Sequence, residues 1–342
     1  MPSHNNLAII AAAGSRKTEF VIDDALANPD KRILITTYTT HNQRQIVSRI
    51  EERLGIMPSN IVVMGWFSFL INEAARPYQN SVLRSVGRLQ SLNFVGSKSR
   101  YAVKTSASYF LDTNDDMWRD GVADFACMAN EKSGGKVIGR LESFFDHIYI
   151  DEVQDLCGYD LDFLDLLLKS RIAVTVVGDP RQDILATNRG LKNHKYKKAG
   201  LVSWFREREA YCRIEERNYS HRCSQPILDF ADELFPDMSR TVSKNVDVTE
   251  HDGVFVIPRS EVEDYIATHH PTILRESKSY DTNGFSAINI GVAKGSTYDR
   301  VLIFSTKTML QYVEARDLTR LKTNERLYVA VTRAKQSAAF VK

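Results

Sequence analysis

Short apolar runs alternate with amphipathic stretches along most of the chain. Period-two or continuous apolar patterning predicts strands at 7–11, 32–36, 60–64, 147–150 and 172–177, and 3.6-residue periodicity predicts helices at 17–27, 42–54, 68–75 and 159–169. Strands that alternate with helices build a parallel sheet covered on both faces. Between Arg76 and Arg140 the pattern gives way to a polar, serine-rich stretch with the turn SGGK, which reads as an insertion. A second alternating block begins near Arg213, with strands at 253–257, 272–274, 286–292, 300–304 and 338–341 and helices at 226–235, 261–269 and 324–333. The expectation is an α/β protein of two parallel-sheet domains with a cleft between them. The first spans 1–212, with an inserted subdomain at about 76–141, and the second spans 213–342. In such sheets ligands bind beyond the C-terminal strand ends.

Two stretches carry chemistry. In HIYIDEVQDL, an apolar run empties into Asp151, Glu152 and Asp155. Adjacent carboxylates at the end of a buried strand are costly unless negative charge is needed there. A hydrated Mg²⁺ on a nucleotide phosphate is the commonest such need, one carboxylate holding the metal and its neighbour handling the water. An ordinary acidic turn is the alternative. The second stretch, LAIIAAAGSRKT, reads as strand, small-residue turn and helix start. Backbone N–H groups through Ala13, Gly14, Ser15 and Arg16 would cradle phosphates, Lys17 would reach the outer ones, and the Thr18 hydroxyl would ligate Mg²⁺. Each stretch alone has a bland reading; together they favour a nucleotide site.

Composition changes this picture little. With 43% hydrophobic and 26% charged residues the chain is an ordinary globular protein, and a net charge of +2 neither demands nor excludes a polyanionic partner. The 4 cysteines form no CxxC pair, which points to reduced thiols in a cytoplasmic setting. The N-terminus has no basic region of the signal-peptide kind, and no apolar stretch approaches the ~20 residues of a membrane span.

Four further segments complete an ordered set. VTVVGDPRQDI ends a strand near Gln182, RNYSHRCSQPILDF places Arg222 before a helix, INIGVAKGSTYDRV turns at Lys294–Gly295, and ERLYVAVTRAK ends on Arg333. The series AAAGSRKT, DEVQD, GDPRQ, NYSHRC, AKGSTYDRV and YVAVTRAK resembles the UvrD/Rep-like branch of superfamily 1 helicases. That resemblance implies two RecA-like domains, ATP with Mg²⁺ in the cleft between them, and single-stranded DNA across both. Lys17, Thr18 and Asp151 would hold phosphates and metal, Glu152 would polarise the attacking water, Gln182 would couple phosphate state to DNA, and Arg222 and Arg333 would be arginine fingers. Gly295 would face the nucleotide. Tyr38, Thr39 and Asn42, in ILITTYTTHN, match the family's first DNA-contacting motif, although Tyr38 suits a core position equally. Trp66 matches a second such motif in MGWFSFL, where burial of at least one ring is expected. Lys294 and a basic run, Arg189, Lys192, Lys195, Lys197 and Lys198, would add phosphate contacts.

The chain departs from the family pattern in four places. Arg16 stands where glycine usually precedes the lysine. Only six residues precede Leu7, leaving no counterpart to the upstream adenine-selecting glutamine. Thr297 replaces a ribose-contacting glutamate in a motif that is also similar to RecD-like and viral helicases. The stretch between Phe235 and Ser286 is too short for the large insertion found in bigger relatives. The resulting expectation is an ATP-dependent single-stranded DNA translocase or helicase, running 3′ to 5′ (RNA remaining open). The alternatives are a DNA-stimulated ATPase sensor subunit, serving a partner nuclease or defence complex without unwinding alone, and a degenerate nucleotide-binding scaffold.

Overall fold

A computed structural model describes residues 5–84, 88–99, 101–188, 190–321 and 323–342. The chain forms two compact units. The first comprises residues up to Ile10, Lys17–Gly178 and Ala186–Glu215; the second comprises Ala11–Arg16, Asp179–Leu185 and Glu216–Lys342.

The first unit is built on a sheet of β1 (Leu7–Ala11), β2 (Ile33–Thr37), β3 (Ile61–Gly65), β4 (His147–Asp151), β5 (Ala173–Gly178) and β6 (Arg213–Arg217), in the order β3-β2-β4-β5-β1-β6. The pairings β1–β5, β2–β3, β2–β4 and β4–β5 are all parallel, as the alternating pattern requires. Strand β6, which follows the break in the pattern, lies at the edge of this first sheet. Helices α1 (Lys17–Leu26), α2 (Thr40–Leu54), α3 (Val122–Lys132), α4 (Lys136–Phe144), α5 (Tyr159–Leu168) and α6 (Gly200–Arg206) connect and cover the strands. Trp66–Phe69 forms an α-helical turn that continues as a π-helical stretch, Leu70–Ala75. The polar stretch read as an insertion contributes to the same core: Phe110, Met117, Phe125 and Val137 are buried with Ala8, Leu34 and Ile148 of the sheet. Enough apolar residues punctuate its serines to bury one face. Residues 85–87 and 100 of that stretch lie outside the described residues.

The second unit has β7 (Gly253–Ile257), β8 (Thr272–Arg275), β9 (Ile288–Asn289), β10 (Tyr298–Phe304) and β11 (Ala334–Val341), ordered β7-β11-β10-β8-β9 and parallel throughout. Around it run α7 (Gln225–Asp232), α8 (Val262–His269), α9 (Lys307–Ala315) and α10 (Asn324–Val331). The apolar run predicted as a strand over 286–292 is cut short, because Ile290–Ala293 turns into a helix after two strand residues. Its own core gathers Ile227, Phe230, Ile303, Tyr328, Val331 and Phe340.

All four cysteines are free thiols, three buried and Cys127 half-buried, and burial pushes each thiol above its ordinary range. Among the described residues no helix is long and apolar enough to cross a membrane.

Candidate nucleotide and nucleic-acid sites

The first unit brings together the residues singled out at the ends of β1 and β4. Lys17 and Thr18 open α1, and the Thr18 hydroxyl donates to Asp151 Oδ2 at 2.8 Å. The other Asp151 oxygen accepts the Glu152 backbone N–H at 2.9 Å. Lys17 Nζ lies 3.7 Å from Glu152 Oε1, and the Gln154 amide donates to Glu152 Oε2. Lys17, Asp151 and Glu152 are all buried. Burial first, and the neighbouring Glu152 charge second, raise the Asp151 carboxyl above its ordinary range, against the pull of Lys17 and Thr18. Two buried carboxylates and the Lys17 ammonium therefore lie together at this point. Among the described residues no group of three or more His, Cys, Asp or Glu side chains is arranged to hold a metal alone. A hydroxyl and a carboxylate oxygen are nevertheless hard donors of the kind Mg²⁺ takes when water and phosphate oxygens complete its shell. The residues fit that group.

Backbone conformation adds a second mark. Both Arg16 and Glu152 adopt left-handed backbone, with φ of 62° and 60°. For a residue with a Cβ this costs on the order of 1–2 kcal/mol, and such strain concentrates at functional sites. A glycine would adopt this conformation without that strain. The exposed arginine here occupies a glycine conformation.

In the second unit, the loop segment Ala11–Arg16 meets the Ser220–Arg222 turn. Gly14 has φ of 78°, and a Cβ there would fall 2.5 Å from Ser220 Oγ and 2.6 Å from Arg222 Cβ, so only glycine is accommodated. Ser15 Oγ is buried with no hydrogen-bond partner among the described residues, a polar atom left for an incoming group. Arg333 is almost wholly buried. Its guanidinium donates to Gln182 Oε1 at 2.9 Å and to the carbonyls of Val329 and Ser296 at 3.1 and 3.3 Å. Gln182 in turn donates to Asp179 at 3.0 Å. Arg222 donates to the Thr332 carbonyl at 3.1 Å. Lys294 is buried beside Gly295, whose φ is 88°.

The residues matched to nucleic-acid contacts divide. Tyr38 is half-buried, edge-on to Phe67 at 5.7 Å, with its hydroxyl 3.4 Å from the Ala186 carbonyl. Thr39 caps α2, accepting the Asn42 N–H at 3.2 Å, and Asn42 is half-buried beside Thr37. Trp66 is a correction. It is fully buried, its indole N–H donates to Asp160 Oδ1 at 2.6 Å, and its ring packs with Phe69 and Phe163. No face is left for a base, and removing the ring would cost roughly 3–5 kcal/mol of stability. Lys195 is exposed, over Tyr196 and 4.0 Å from Glu207. Arg189 of the basic run lies outside the described residues.

Comparison with known proteins places this geometry. The profile of the UvrD/REP helicase N-terminal domain matches residues 71–199, and that of the viral superfamily 1 RNA helicase core domain matches residues 136–342, more than half of the chain. The chain belongs to the superfamily 1 helicases. No curated protein is a significant match by sequence. Among solved structures, this superfamily 1 chain is similar to arterivirus nonstructural protein 10 (helicase), with a TM-score of 0.52 and 14% identity over 99% of this chain and 60% of the viral one. The complex of that helicase with DNA gives a TM-score of 0.51 at 14% identity, covering 98% and 60%. The chain thus spans about 60% of the length of these solved relatives, and identity this low speaks for the fold alone.

Several side chains that organise this superfamily 1 chain are not apparent in its sequence. Arg181 is buried between Asp179 at 2.9 Å and Asp232 at 3.2 Å. The buried Tyr328 hydroxyl donates to Asp179 at 3.1 Å and accepts the Ala13 N–H at 3.3 Å. Asp160 and Thr187 are wholly internal. GDPRQ and YVAVTRAK contain Asp179, Arg181 and Tyr328, so these motifs could have flagged them. Nothing local marks Asp160, Thr187 or Asp232.

Proposed function

We propose that this chain is an ATP-driven motor on single-stranded nucleic acid, DNA foremost, moving 3′ to 5′ as its UvrD-like DEVQD implies. The observation that carries the reading is the set of buried Lys17, Asp151 and Glu152 with half-buried Thr18, which puts hydroxyl, carboxylate, ammonium and strained backbone in one place. Lys17 and the loop amides bind the phosphates. Thr18 and Asp151 are the residues that hold Mg²⁺, which when bound supplies positive charge to the phosphate oxygens. Glu152, steadied by Gln154, accepts a proton from the attacking water. Arg222 and Arg333 offer charge to the terminal phosphate as it departs. Because Arg333 and Gln182 are bonded to one another, a change at either is felt by the other.

The test is phosphate release with oligo(dT), single-stranded RNA and blunt duplex as cofactors, followed by unwinding of duplexes bearing a 3′ or a 5′ tail. Wild-type turnover should rise with single strands and unwinding should need the 3′ tail. Glu152→Gln should keep nucleotide binding and lose roughly 10²-fold or more in turnover, the range a positioned base supplies. Near-normal hydrolysis in that variant, or rates indifferent to single strands, would reject the reading.

A further inference from the structure

In the first unit, two segments distant in sequence are stitched together between the DEVQD turn and the basic run. Asp160, in the first turn of α5, is 2% exposed. Its two oxygens take neutral donors: Trp66 Nε1 at 2.6 Å on Oδ1 and the Thr187 hydroxyl at 2.6 Å on Oδ2, with a backbone hydrogen bond from Cys157 besides. Among the described residues no cation pairs with it. A buried carboxylate without a cation is costly, and hydrogen bonds from neutral donors offset only part of that. Burial pushes its carboxyl up to about 6. Structural need alone would be met more cheaply by an amide or an apolar residue.

What the carboxylate holds gives the reason. Thr187 is fully buried and hydrogen-bonded: its N–H donates to the Asp155 carbonyl at 3.0 Å, its hydroxyl oxygen accepts the Cys157 N–H at 3.1 Å, and its hydroxyl donates to Asp160 at 2.6 Å. Asp155 closes the turn that begins at Glu152, through its own N–H to the Glu152 carbonyl at 3.0 Å. One residue before Thr187, the Ala186 carbonyl meets the Tyr38 hydroxyl. After it, Asn188 passes so close over Gly158 that a Cβ there would lie 3.1 Å from its side chain, and Asn193 donates to the Gly158 carbonyl at 2.8 Å. Lys192, first lysine of the basic run, pairs with Asp162 at 3.4 Å. Tyr38 and the basic run are thus linked to the segment around Thr187, and Thr187 is bonded to the Glu152–Asp155 turn.

We propose that Asp160, through Trp66 and Thr187, is a positioning residue that transmits nucleic-acid engagement at Tyr38 and the basic run to the water-handling turn at Glu152. The inference rests on the proposed motor function and names how its two sites communicate. Asp160 and Thr187 are both buried, out of direct reach of nucleotide or strand. Their loss should uncouple the two sites and leave each intact.

The experiment measures basal ATPase, oligo(dT)-stimulated ATPase, the half-saturating oligo(dT) concentration and oligo(dT) affinity for wild type, Asp160→Asn, Thr187→Val and Thr187→Ser, with thermal melts for each. Asp160→Asn and Thr187→Val should keep basal rate and oligo affinity within about twofold while stimulation falls at least tenfold. Thr187→Ser, which restores the hydroxyl, should recover most of it. Equal loss of basal and stimulated rates in both variants, or undiminished stimulation in folded Thr187→Val, would overturn the coupling role alone. If Asp160→Asn fails to fold, the Thr187 pair decides. A wild-type chain with no stimulation would overturn the motor reading and this inference together.

Discussion

At the scale of single residues, Arg16 concentrates the tension between stability and function. It holds φ of 62°, a conformation suited to glycine, while its side chain is exposed at the end of the Ala11–Arg16 segment. Arg16→Gly should relieve the strain and raise stability by up to about 1 kcal/mol, less the extra freedom glycine gains when unfolded. If the guanidinium contacts phosphate, the same change weakens ATP binding. A thermal melt and an ATP titration on one preparation read both effects, and tighter ATP binding would mark the arginine as an obstruction. Residues of this kind are legible in sequence only as departures from a pattern. Trp66 shows where such reading fails: its apolar neighbours and its place in a motif were visible, but the acceptor that fixes it, Asp160, is 94 residues away. Thr187 lies 27 residues from that same acid, and nothing in its own surroundings announces a partner.

At the scale of elements, the apolar runs announced five strands of the first sheet: four are buried along nearly their whole length, and β3, at the opposite edge from β6, is apolar although Val62 is exposed. The edge strand β6, RIEER, is polar and was legible only as the start of something new. Helix α9 was not anticipated, and the apolar run at 286–292 held too little of its register to stay a strand. Within β4, His147 is buried, stacked on Tyr149 at 4.0 Å and bonded through Nε2 to Thr175 of β5 at 2.9 Å. Burial lowers its imidazole to about 4. The folded chain then binds fewer protons than the unfolded chain between pH about 4 and about 6.5, so this contribution is complete above 6.5 and is lost as pH falls through 4. It amounts to no more than about 3 kcal/mol. Asp160, raised to about 6, acts in the opposite sense, adding stability as pH drops from 6 toward the ordinary carboxylate range. His147→Gln should therefore shrink the loss of urea resistance between pH 6.5 and 4.5 relative to wild type; an unchanged difference would show that the histidine is charged in the fold.

At the scale of the whole molecule, the six motifs made a superfamily 1 helicase legible because their order survives where single motifs are degenerate. What they could not display is the state in which their side chains rest. The buried Arg333 guanidinium donates to Gln182, to the Thr332 hydroxyl and to the carbonyls of Val329 and Ser296. As an arginine finger it would have to exchange those bonds for phosphate during turnover, and would then affect the rate of the cycle more than the grip on nucleotide. Arg333→Ala is expected to lower stimulated kcat by orders of magnitude, the scale of arginine-finger losses, while ATP affinity changes little. Steady-state kinetics paired with equilibrium nucleotide binding checks it, and a loss confined to affinity would remove Arg333 from the finger role.

The four cysteines have a practical meaning for following such a cycle. Thiolate is the reactive form, and burial raises each of these thiols above its ordinary range. Slow background labelling by maleimide is the expected consequence, with half-buried Cys127 the position to check first. Single cysteines placed on exposed positions of each unit, such as Glu52 and Asp299, would take up a donor and an acceptor dye against that slow background. Changes in energy transfer on adding nucleotide and single strands would then report motion between labelled surfaces in an otherwise unaltered protein.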